Sequence, residues 1–360
     1  MKGGVLLTGS TGFLGLEVLS RLVEKQGRDV IVLIRARDQR EANARLNTSI
    51  RRLYDVVPEG YDRVRAIPGD LNADGLGLSA ADRGHILAGT ETVVHCAASI
   101  RFDLPFEEAV RTNVAGTDKV LDLAEEIERS GNLEQVVHVS TAYVSGSHEG
   151  PYHERDLDLG QRFRNTYEQS KFLTEKRIGA RALPLVIVRP SIVVGESTSG
   201  WTSAFNVVYW PLQAFARGMI RDLPADPSGI ADIVPVDYVA EAIACLAAGA
   251  GLSGTIHLVA GEEASTVGEL IGLASVALGK PPPELVAAQT STEGEEGRVF
   301  IPYFDVKARF ADARAREYLT PRGYTAPALS SYFTTIMDYA RRSRWGKRPL
   351  TRERARELAL

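Results

Sequence analysis

The first half of the chain alternates short apolar runs with longer segments of helical periodicity. The apolar runs predict buried strands at residues 5–7, 30–34, 64–67, 92–97, 136–139 and 185–188. Between them, apolar residues at helical spacing predict helices at 13–24, 36–54, 106–128 and 162–177. This alternation is typical of a parallel sheet covered by helices. We therefore predict an α/β fold, a Rossmann-type doubly wound parallel sheet.

The pattern loosens after about residue 195. Residues 195–231 are rich in Gly, Ser and aromatic side chains and show few clear periods. Helical spacing returns at 239–246, 266–278 and 329–342, and 255–259 could add a strand to the sheet. We expect the sheet domain to comprise residues 1–195, with contributions from about 230–262. A smaller C-terminal lobe would comprise residues 196–230 and 263–360.

Composition excludes several classes of protein. The 360 residues carry a formal net charge of -4 and are 44% hydrophobic, which is typical of a soluble globular protein. This charge gives no reason to expect nucleic acid, and no run reaches the ~18 apolar residues that span a membrane. The N-terminus, Met1-Lys2-Gly3-Gly4, is no signal peptide. Cys96, Cys245 and the six histidines lack metal-ligand spacing, so we expect reduced thiols, no metal and a cytoplasmic location.

Three glycines follow the first predicted strand at a spacing of three residues. Such glycines allow a tight turn, a close approach of the backbone to a pyrophosphate, and contact between helix and strand. The helix that begins there directs its free N–H groups toward the phosphates. The turn therefore predicts a dinucleotide-binding segment comprising Gly9, Ser10, Thr11, Gly12, Phe13, Leu14 and Gly15.

The residue that ends the second strand indicates which dinucleotide is bound. An acidic residue there would favour NAD, whereas Arg35 offers a guanidinium to the 2′-phosphate of NADPH. Arg37 and Arg45 lie close enough in sequence to join it, or could be solvated. Asp70, after the third strand, could accept a hydrogen bond from the adenine amino group or could cap a turn.

Tyr167 and Lys171 are the candidate catalytic residues. They lie four residues apart on a predicted helix, so they share one face. The fifth strand ends at Ser140 and Thr141, and strand carboxyl ends form the ligand crevice of such a sheet. Hydride transfer to a carbonyl carbon leaves charge on the oxygen, which a phenol can protonate and Thr141 can hold. We expect Lys171 to lower the pKa of Tyr167 from its unperturbed value near ~10.

Together these segments resemble the extended short-chain dehydrogenase/reductases. Within them the chain is similar to the fatty acyl-CoA reductase and thioester reductase branch, which includes the reductase domains of carboxylic acid reductases and nonribosomal peptide synthetases. The resemblance covers roughly residues 3–250. It rests on residues 8–15, 32–35, 69–71, 94–102, 112–117, 139–144, 167–171, 189–191 and 232–239.

The resemblance implies roles for further residues. Thr141, Tyr167 and Lys171 would form the catalytic triad, and Asn113 would support Lys171. The remaining cofactor contacts would come from Leu71, Ala97, Ala98 and Pro190.

The reaction implied is the NADPH-dependent reduction of an acyl thioester, on coenzyme A or a separate carrier protein, to an aldehyde, with a further reduction to alcohol open. The chain would act as a free-standing enzyme, and its C-terminal lobe would bind substrate. Trp201, Phe205, Tyr209 and Trp210 could form an apolar acyl pocket or pack as core.

Three alternatives stay open. The chain could be an NADP-dependent reductase of ketones, aldehydes or hydroxysteroids, or a nucleotide-sugar enzyme. The weakly charged segment after Gly195 argues against sugar nucleotides, whose diphosphates need arginine. The chain could also be a non-catalytic NADP(H) sensor, although a sensor has no use for a catalytic phenol. The basic stretch at 341–356 is interpreted as a solvated helix rather than a binding tail.

Overall fold

A computed structural model describes residues 3–205, 207–286 and 301–360. The chain divides into two compact units. The first unit comprises Met1–Val144, Asn165–Arg189 and Val239–Ile256, and the second comprises Ser145–Arg164, Pro190–Tyr238 and His257–Leu360. Residues 1, 2, 206 and 287–300 of the predicted domains lie outside the described residues.

Seven parallel strands form the central sheet, in the order β12-β7-β5-β4-β1-β2-β3. In register, Val5 of β1 lies between Val30 of β2 and Thr92 of β4. Four two-stranded pairings lie outside this sheet: β10 with β13, β11 with β8, β14 with β9, and β15 with β6. The strands in chain order are β1 (Gly4–Thr8), β2 (Val30–Ile34), β3 (Val64–Pro68), β4 (Thr90–His95), β5 (Gln135–Val139), β6 (Gly150–Tyr152), β7 (Leu185–Pro190), β8 (Ile192–Val194), β9 (Asp222–Pro224), β10 (Ile230–Ala231), β11 (Ile233–Pro235), β12 (Gly254–Leu258), β13 (Ser265–Thr266), β14 (Glu284–Val286) and β15 (Ala308–Phe310). The predicted doubly wound sheet is therefore confirmed.

Twelve α-helices lie in the described part of the chain. They are α1 (Phe13–Ser20), α2 (Gln39–Ile50), α3 (Ala80–Gly89), α4 (Phe106–Ala109), α5 (Gly116–Arg129), α6 (Thr166–Ile178), α7 (Tyr209–Ala216), α8 (Val236–Ala247), α9 (Val267–Leu278), α10 (Ala313–Leu319), α11 (Leu329–Arg342) and α12 (Arg352–Glu357). A π-helical turn at Arg21–Lys25 extends α1, and another at Val110–Ala115 joins α4 to α5. Short 3₁₀ helices occupy Tyr61–Arg63, Asp74–Gly77, Ala142–Ser145, Gly261–Glu263, Ile301–Asp305 and Thr320–Arg322. None of these helices is long and apolar enough to cross a membrane.

Capping residues explain where the structure differs from the predicted helices. The side chain of Asp38 accepts a hydrogen bond from the backbone N–H of Glu41, so α2 begins at Gln39 rather than at residue 36. Asn165 caps α6 in the same way, so that helix begins at Thr166 rather than at 162. Helix α3 was not predicted. The basic stretch forms the end of α11, a turn and the short α12, in which Arg352 is buried.

Each unit has its own apolar core. Leu6, Val93 and Val136 are fully buried in the first unit between the sheet and α5. In the second unit, α7, α9 and α11 supply buried residues to a separate cluster that includes Leu212, Leu270 and Phe333.

Candidate active site

The turn between β1 and α1 requires glycine at two positions. Gly9 has a φ of +79°, and a Cβ added there would lie 2.7 Å from the backbone nitrogen of Ala97. A Cβ added at Gly15 would lie 2.2 Å from the carbonyl oxygen of Gly9. Gly12 closes the turn by donating its N–H to the same carbonyl at 3.0 Å. The three glycines thus bring β1, α1 and the chain after β4 into direct backbone contact.

Polar groups in this turn fit a dinucleotide phosphate. The hydroxyl of Ser10 is buried and has no hydrogen-bond partner among the described residues. No side chain caps α1 at Gly12, so the first turn of the helix is open to an anion. Thr11 is partly exposed, as are Phe13 and Leu14 at the start of α1. A buried hydroxyl without a partner carries an energetic cost that a ligand oxygen would remove.

Arg35 lies exposed directly after β2. The guanidinium of Arg45 donates a hydrogen bond to the backbone carbonyl of Arg35. This contact brings the side chain of Arg45 to the same edge of the sheet as Arg35. Arg37 instead pairs with Glu41, its Nε lying 2.8 Å from a carboxylate oxygen. Of the two additional arginines considered from the sequence, Arg45 therefore lies beside Arg35 and Arg37 pairs with Glu41, and a contact with a 2′-phosphate stays a prediction.

Asp70 caps a turn after β3. One of its carboxylate oxygens accepts the backbone N–H of Asn72 at 2.9 Å. The next residue, Leu71, packs against Gly116 at the start of α5, where a Cβ would lie 3.0 Å from that of Leu71. Asp70 therefore caps a turn, as one of the two interpretations predicts. A contact between its second carboxylate oxygen and the adenine amino group stays a prediction.

Asn113 ties the segment after β4 to α6. It lies in the π-helical turn before α5 and is 1% exposed. Its side-chain oxygen accepts the backbone N–H of Ser99 at 2.7 Å, and its amide nitrogen donates to the carbonyl of Ser99 and the hydroxyl of Ser170. These contacts reach the neighbour of Lys171 in sequence rather than Lys171 itself. Ala97 and Ala98 lie in the segment thus held, both partly buried.

The hydroxyls of Thr141 and Tyr167 are hydrogen-bonded to each other. Thr141 follows β5 and is 5% exposed, and Tyr167 lies in the first turn of α6. The ring of Phe102 packs beside that of Tyr167, with centroids 5.9 Å apart. The hydroxyl of the adjacent Thr166 donates to the backbone carbonyl of Leu104 at 2.8 Å. The predicted Thr–Tyr pair therefore stands together, supported by the segment after β4.

Lys171 is 2% exposed, and its ammonium donates to the carbonyl of Val139 at 2.6 Å. Burial lowers the pKa of Lys171 to about 8, against the opposing charge of Glu175. Burial also raises the pKa of Tyr167 to about 12, with the bond to Thr141 acting in the opposite direction. The expected lowering of the Tyr167 pKa by Lys171 is therefore wrong for this arrangement, because the ammonium points to Val139.

A buried ion pair beside this site was missed from the sequence. Glu175 lies one turn after Lys171, and its carboxylate meets Arg189 of β7 at 2.6 Å. The two side chains are 1% and 2% exposed. The four-residue spacing of Tyr167, Lys171 and Glu175 was the available signal, since it places all three on one helix face. The ion pair therefore links α6 to β7 of the central sheet.

Two histidines lie beneath the site. His95 ends β4, and its ring nitrogens contact the hydroxyls of Thr8 at 2.6 Å and Thr117 at 3.0 Å. The ring of His138 lies 5.3 Å from that of His95 and finds no hydrogen-bond partner for either nitrogen in the described residues. Burial lowers the pKa of His95 to about 3 and that of His138 well below its usual range. Both imidazoles are therefore neutral.

The remaining predicted residues lie in the second unit. Pro190, the last residue of β7, is buried. Trp201 is 1% exposed and donates its indole N–H to the carbonyl of Leu350 at 3.0 Å. The hydroxyl of Tyr209 accepts the backbone N–H of Gly195 at 2.8 Å, and Phe205 packs edge-on against its ring. Trp210 packs against the same cluster. Trp201 and Tyr209 are buried, and Phe205 and Trp210 pack partly buried against the core cluster, so these contacts fit the core interpretation, and an acyl pocket at these residues stays a prediction.

No group of His, Cys, Asp or Glu side chains within the described ranges could hold a metal ion. The site therefore consists of a glycine turn, a hydroxyl pair and a buried lysine, all within the first unit.

Comparison with known proteins assigns the family. Residues 7–243 match the sequence model of a family described as male sterility protein, which is an NAD-binding type. The chain belongs to this family. The residues that match the family model run from within β1 to within α8, and they include every predicted site residue. The family match supports a nicotinamide cofactor for this chain.

Named relatives lie within the predicted branch. The chain is similar to "Fatty acyl-CoA reductase wat" of Drosophila melanogaster, with 30% identity over 276 residues, which is 67% of this chain and 53% of the relative. The chain thus spans about half the length of that relative. The resemblance to the fatty acyl-CoA reductase and thioester reductase branch is confirmed.

Solved structures share the fold. The terminal R domain of the myxalamid PKS-NRPS pathway superposes with a TM-score of 0.79 at 23% identity, covering 97% of this chain and 92% of the domain. The reductase (R) domain of a nonribosomal peptide synthetase from Mycobacterium tuberculosis gives a TM-score of 0.72 at 20% identity, covering 96% and 92%. At these identities, the similarity to the two solved structures shows a shared fold.

Proposed function

We propose that this protein reduces an acyl thioester to an aldehyde with NADPH. The observation that carries the proposal is the hydrogen-bonded pair of Thr141 and Tyr167 within the same unit as the glycine turn and the buried Lys171. Relatives named fatty acyl-CoA reductase support a thioester as the substrate. The balanced reaction converts thioester, NADPH and a proton to aldehyde, thiol and NADP⁺.

The cofactor supplies a hydride to the carbonyl carbon, and the chain's own residues handle the oxygen. The Thr141 hydroxyl holds the carbonyl oxygen beside the Tyr167 phenol. With a pKa near about 12, that phenol is protonated at neutral pH and able to donate its proton to the oxyanion. The resulting hemithioacetal then expels the thiol and leaves the aldehyde. The buried Lys171 ammonium is available to bind a ribose hydroxyl of the cofactor.

We infer that NADPH rather than NADH is used, since Arg35 and Arg45 bring two guanidinium groups to the end of β2. The nearby Asp38 is committed to capping α2. Replacing Arg35 with Ala should lower the NADPH/NADH ratio of kcat/KM at least about tenfold, the loss of one charge-assisted contact. Arg37→Ala is the matched control, because Arg37 pairs with Glu41. Equal kcat/KM values for NADPH and NADH in the wild-type protein would contradict the inference.

The thiol carrier of the substrate is coenzyme A or a carrier protein, and the experiment below distinguishes them. We also propose a cytoplasmic location, supported by the presence of Cys96 and Cys245 as thiols rather than as a disulfide.

The test mixes the purified protein with NADPH and acyl-CoA thioesters, and follows nicotinamide absorbance and thiol release together. We expect both signals, with one NADPH per thiol for an aldehyde product and two for an alcohol. Tyr167→Phe should lose at least about a hundredfold in kcat while binding NADPH normally. Oxidation with aldehydes or ketones but no thioester would replace the proposal with a carbonyl reductase. Activity only with phosphopantetheine-loaded carrier proteins would identify the carrier.

A further inference from the structure

The imidazole of His95 joins two hydroxyl groups that come from different elements of the first unit. Thr8 ends β1, directly before the glycine turn, and Thr117 lies in the first turn of α5. The ring nitrogens Nδ1 and Nε2 contact these hydroxyls at 2.6 Å and 3.0 Å. All three side chains belong to buried residues, so water does not compete for these bonds.

The other partners of the two hydroxyls fix the direction of every bond. A hydroxyl has one hydrogen, and Thr117 donates its own to the backbone carbonyl of Asn113 at 2.6 Å. Thr117 therefore accepts from Nε2 of His95. Burial lowers the pKa of His95 to about 3, so the ring is neutral, and its other nitrogen, Nδ1, accepts from Thr8. The oxygen of Thr8 in turn accepts the backbone N–H of Ala97 at 3.2 Å. We call these five residues the His95 network.

The two ends of the His95 network hold the same short segment, residues 97–99. At one end, Thr8 accepts the backbone N–H of Ala97. At the other end, the side-chain oxygen of Asn113 accepts the backbone N–H of Ser99 at 2.7 Å. The segment after β4 is therefore fixed at two points, and the imidazole lies between the two anchors.

Each end of the network also borders one part of the candidate active site. Ala97 lies against the glycine turn, since a Cβ added at Gly9 would lie 2.9 Å from the Cα of Ala97. Asn113 donates its side-chain N–H to the hydroxyl of Ser170 at 2.9 Å, and Ser170 directly precedes the catalytic lysine on α6. The network thus connects the glycine turn to the helix that carries the phenol and the ammonium.

We propose that His95 is a positioning residue, whose single neutral tautomer holds the glycine turn and α6 in register for hydride and proton transfer. The proposal rests on the proposed function, which assigns the cofactor to the glycine turn and proton donation to Tyr167. His138, the neighbouring imidazole, takes no part, because neither of its nitrogens has a hydrogen-bond partner in the described residues. A misplacement of about 1 Å can slow a reaction about a hundredfold, so a loosened network should be visible in the kinetics.

Two substitutions of nearly equal volume separate the ends of the network. Thr8→Val breaks the end at Ala97. We expect the Kd of NADPH to rise about tenfold, the upper range for one neutral hydrogen bond, with kcat at saturating NADPH within about twofold of the wild type. Thr117→Val breaks the end at Asn113, and we expect the reverse: kcat falls about tenfold and Kd stays within about twofold. Thr8→Ser and Thr117→Ser keep the hydroxyl and should restore both values.

Thr90→Val is the matched control for these substitutions. Thr90 lies on the same strand as His95, is fully buried, and has a hydroxyl without a hydrogen-bond partner in the described part of the chain. This variant should match the wild type in Kd and kcat. A purely structural role of the network would lower stability without separating Kd from kcat. Wild-type values in folded Thr8→Val and Thr117→Val, or equal changes of Kd and kcat in both, would overturn the proposal.

The second readout does not depend on activity. Two-bond proton–nitrogen correlation NMR spectra distinguish the histidine tautomers, and the signals that move in Thr8→Val but not in Thr90→Val belong to His95. We expect the ring hydrogen on Nε2 at neutral pH. A hydrogen on Nδ1, or on both nitrogens, would overturn the proposal. If the protein reduced no thioester, the proposed function would fail, whereas the tautomer and the Kd values for NADPH would still decide the role of His95.

Discussion

Removing one member of the Glu175–Arg189 pair should destabilise the first unit strongly. Both side chains are almost fully buried, and the shortest contact between them is 2.6 Å. Glu175→Gln leaves the Arg189 guanidinium in the interior without a counter-charge, for which the cost is about 3–5 kcal/mol. The double variant Glu175→Leu/Arg189→Met should lie within about 1–2 kcal/mol of the wild type, because both charges are removed together.

Urea unfolding at pH 7, followed by circular dichroism, measures these differences. The pair between Arg83 and Glu126 is the matched control, since its side chains are 33% and 26% exposed and its Nε–Oε2 distance is 3.0 Å. Glu126→Gln should cost less than about 1 kcal/mol. The reasoning would be refuted if Glu175→Gln cost no more than Glu126→Gln, or if the double variant were as unstable as the single one.

The same substitution has a second consequence for the site. The carboxylate of Glu175 raises the pKa of Lys171 against the effect of burial. In Glu175→Gln that pKa should fall further below about 8, so the alkaline limb of the kcat/KM profile should move to lower pH. A purely structural role for Glu175 would lower the stability without moving this limb.

Three further predictions concern the same unit. Because Lys171 loses its proton above about pH 8, kcat/KM should fall there, and Lys171→Arg should move that fall upward by more than one pH unit in the rate profile. Gly15→Ala should abolish NADPH binding in a fluorescence titration, whereas Gly84→Ala, which faces open space, should leave it unchanged. Burial lowers the pKa of His138 in the folded chain. Below about pH 6.5 the unfolded chain therefore takes up a proton that the folded chain does not. The contribution of the neutral His138 to the free energy of unfolding is fully present above that pH and falls by about 1.4 kcal/mol per pH unit below it. In His138→Phe, urea midpoints at pH 7.5 and 5.5 should differ less than in the wild-type protein, and an unchanged difference would contradict the assignment.

Local sequence patterns were sufficient for the sheet because its strands are buried on both faces. Val30–Ile34 is entirely buried and appears as a continuous apolar run, which the surface of a helix would not give. The short strands of the second unit have no such signal. Ile230–Ala231 and Ser265–Thr266 are two residues long and pair across a long separation in sequence, which no local pattern encodes.

The candidate site was predictable where chemistry depends on spacing along one element. Tyr167 and Lys171 lie on one helix, and Gly9 and Gly15 lie in one turn. Contacts between elements were not predictable, because they depend on three-dimensional approach. The direction of the Lys171 ammonium toward Val139 is such a contact, and so is the bond of Asn113 to Ser170.

The first unit is assembled from three separate stretches of chain, and this affects its synthesis. The sheet strand β7 ends at Pro190, but its outer neighbour β12 begins only at Gly254. At the usual pace of translation, about 5–20 residues per second, the ribosome needs roughly 3–13 s to deliver the outer strand. During that interval the nascent chain carries β7 with an unpaired edge, which can pair with other chains. A ribosome stalled before residue 254 would therefore release an aggregation-prone fragment, and a shortened gene that ends near residue 195 would encode the same hazard.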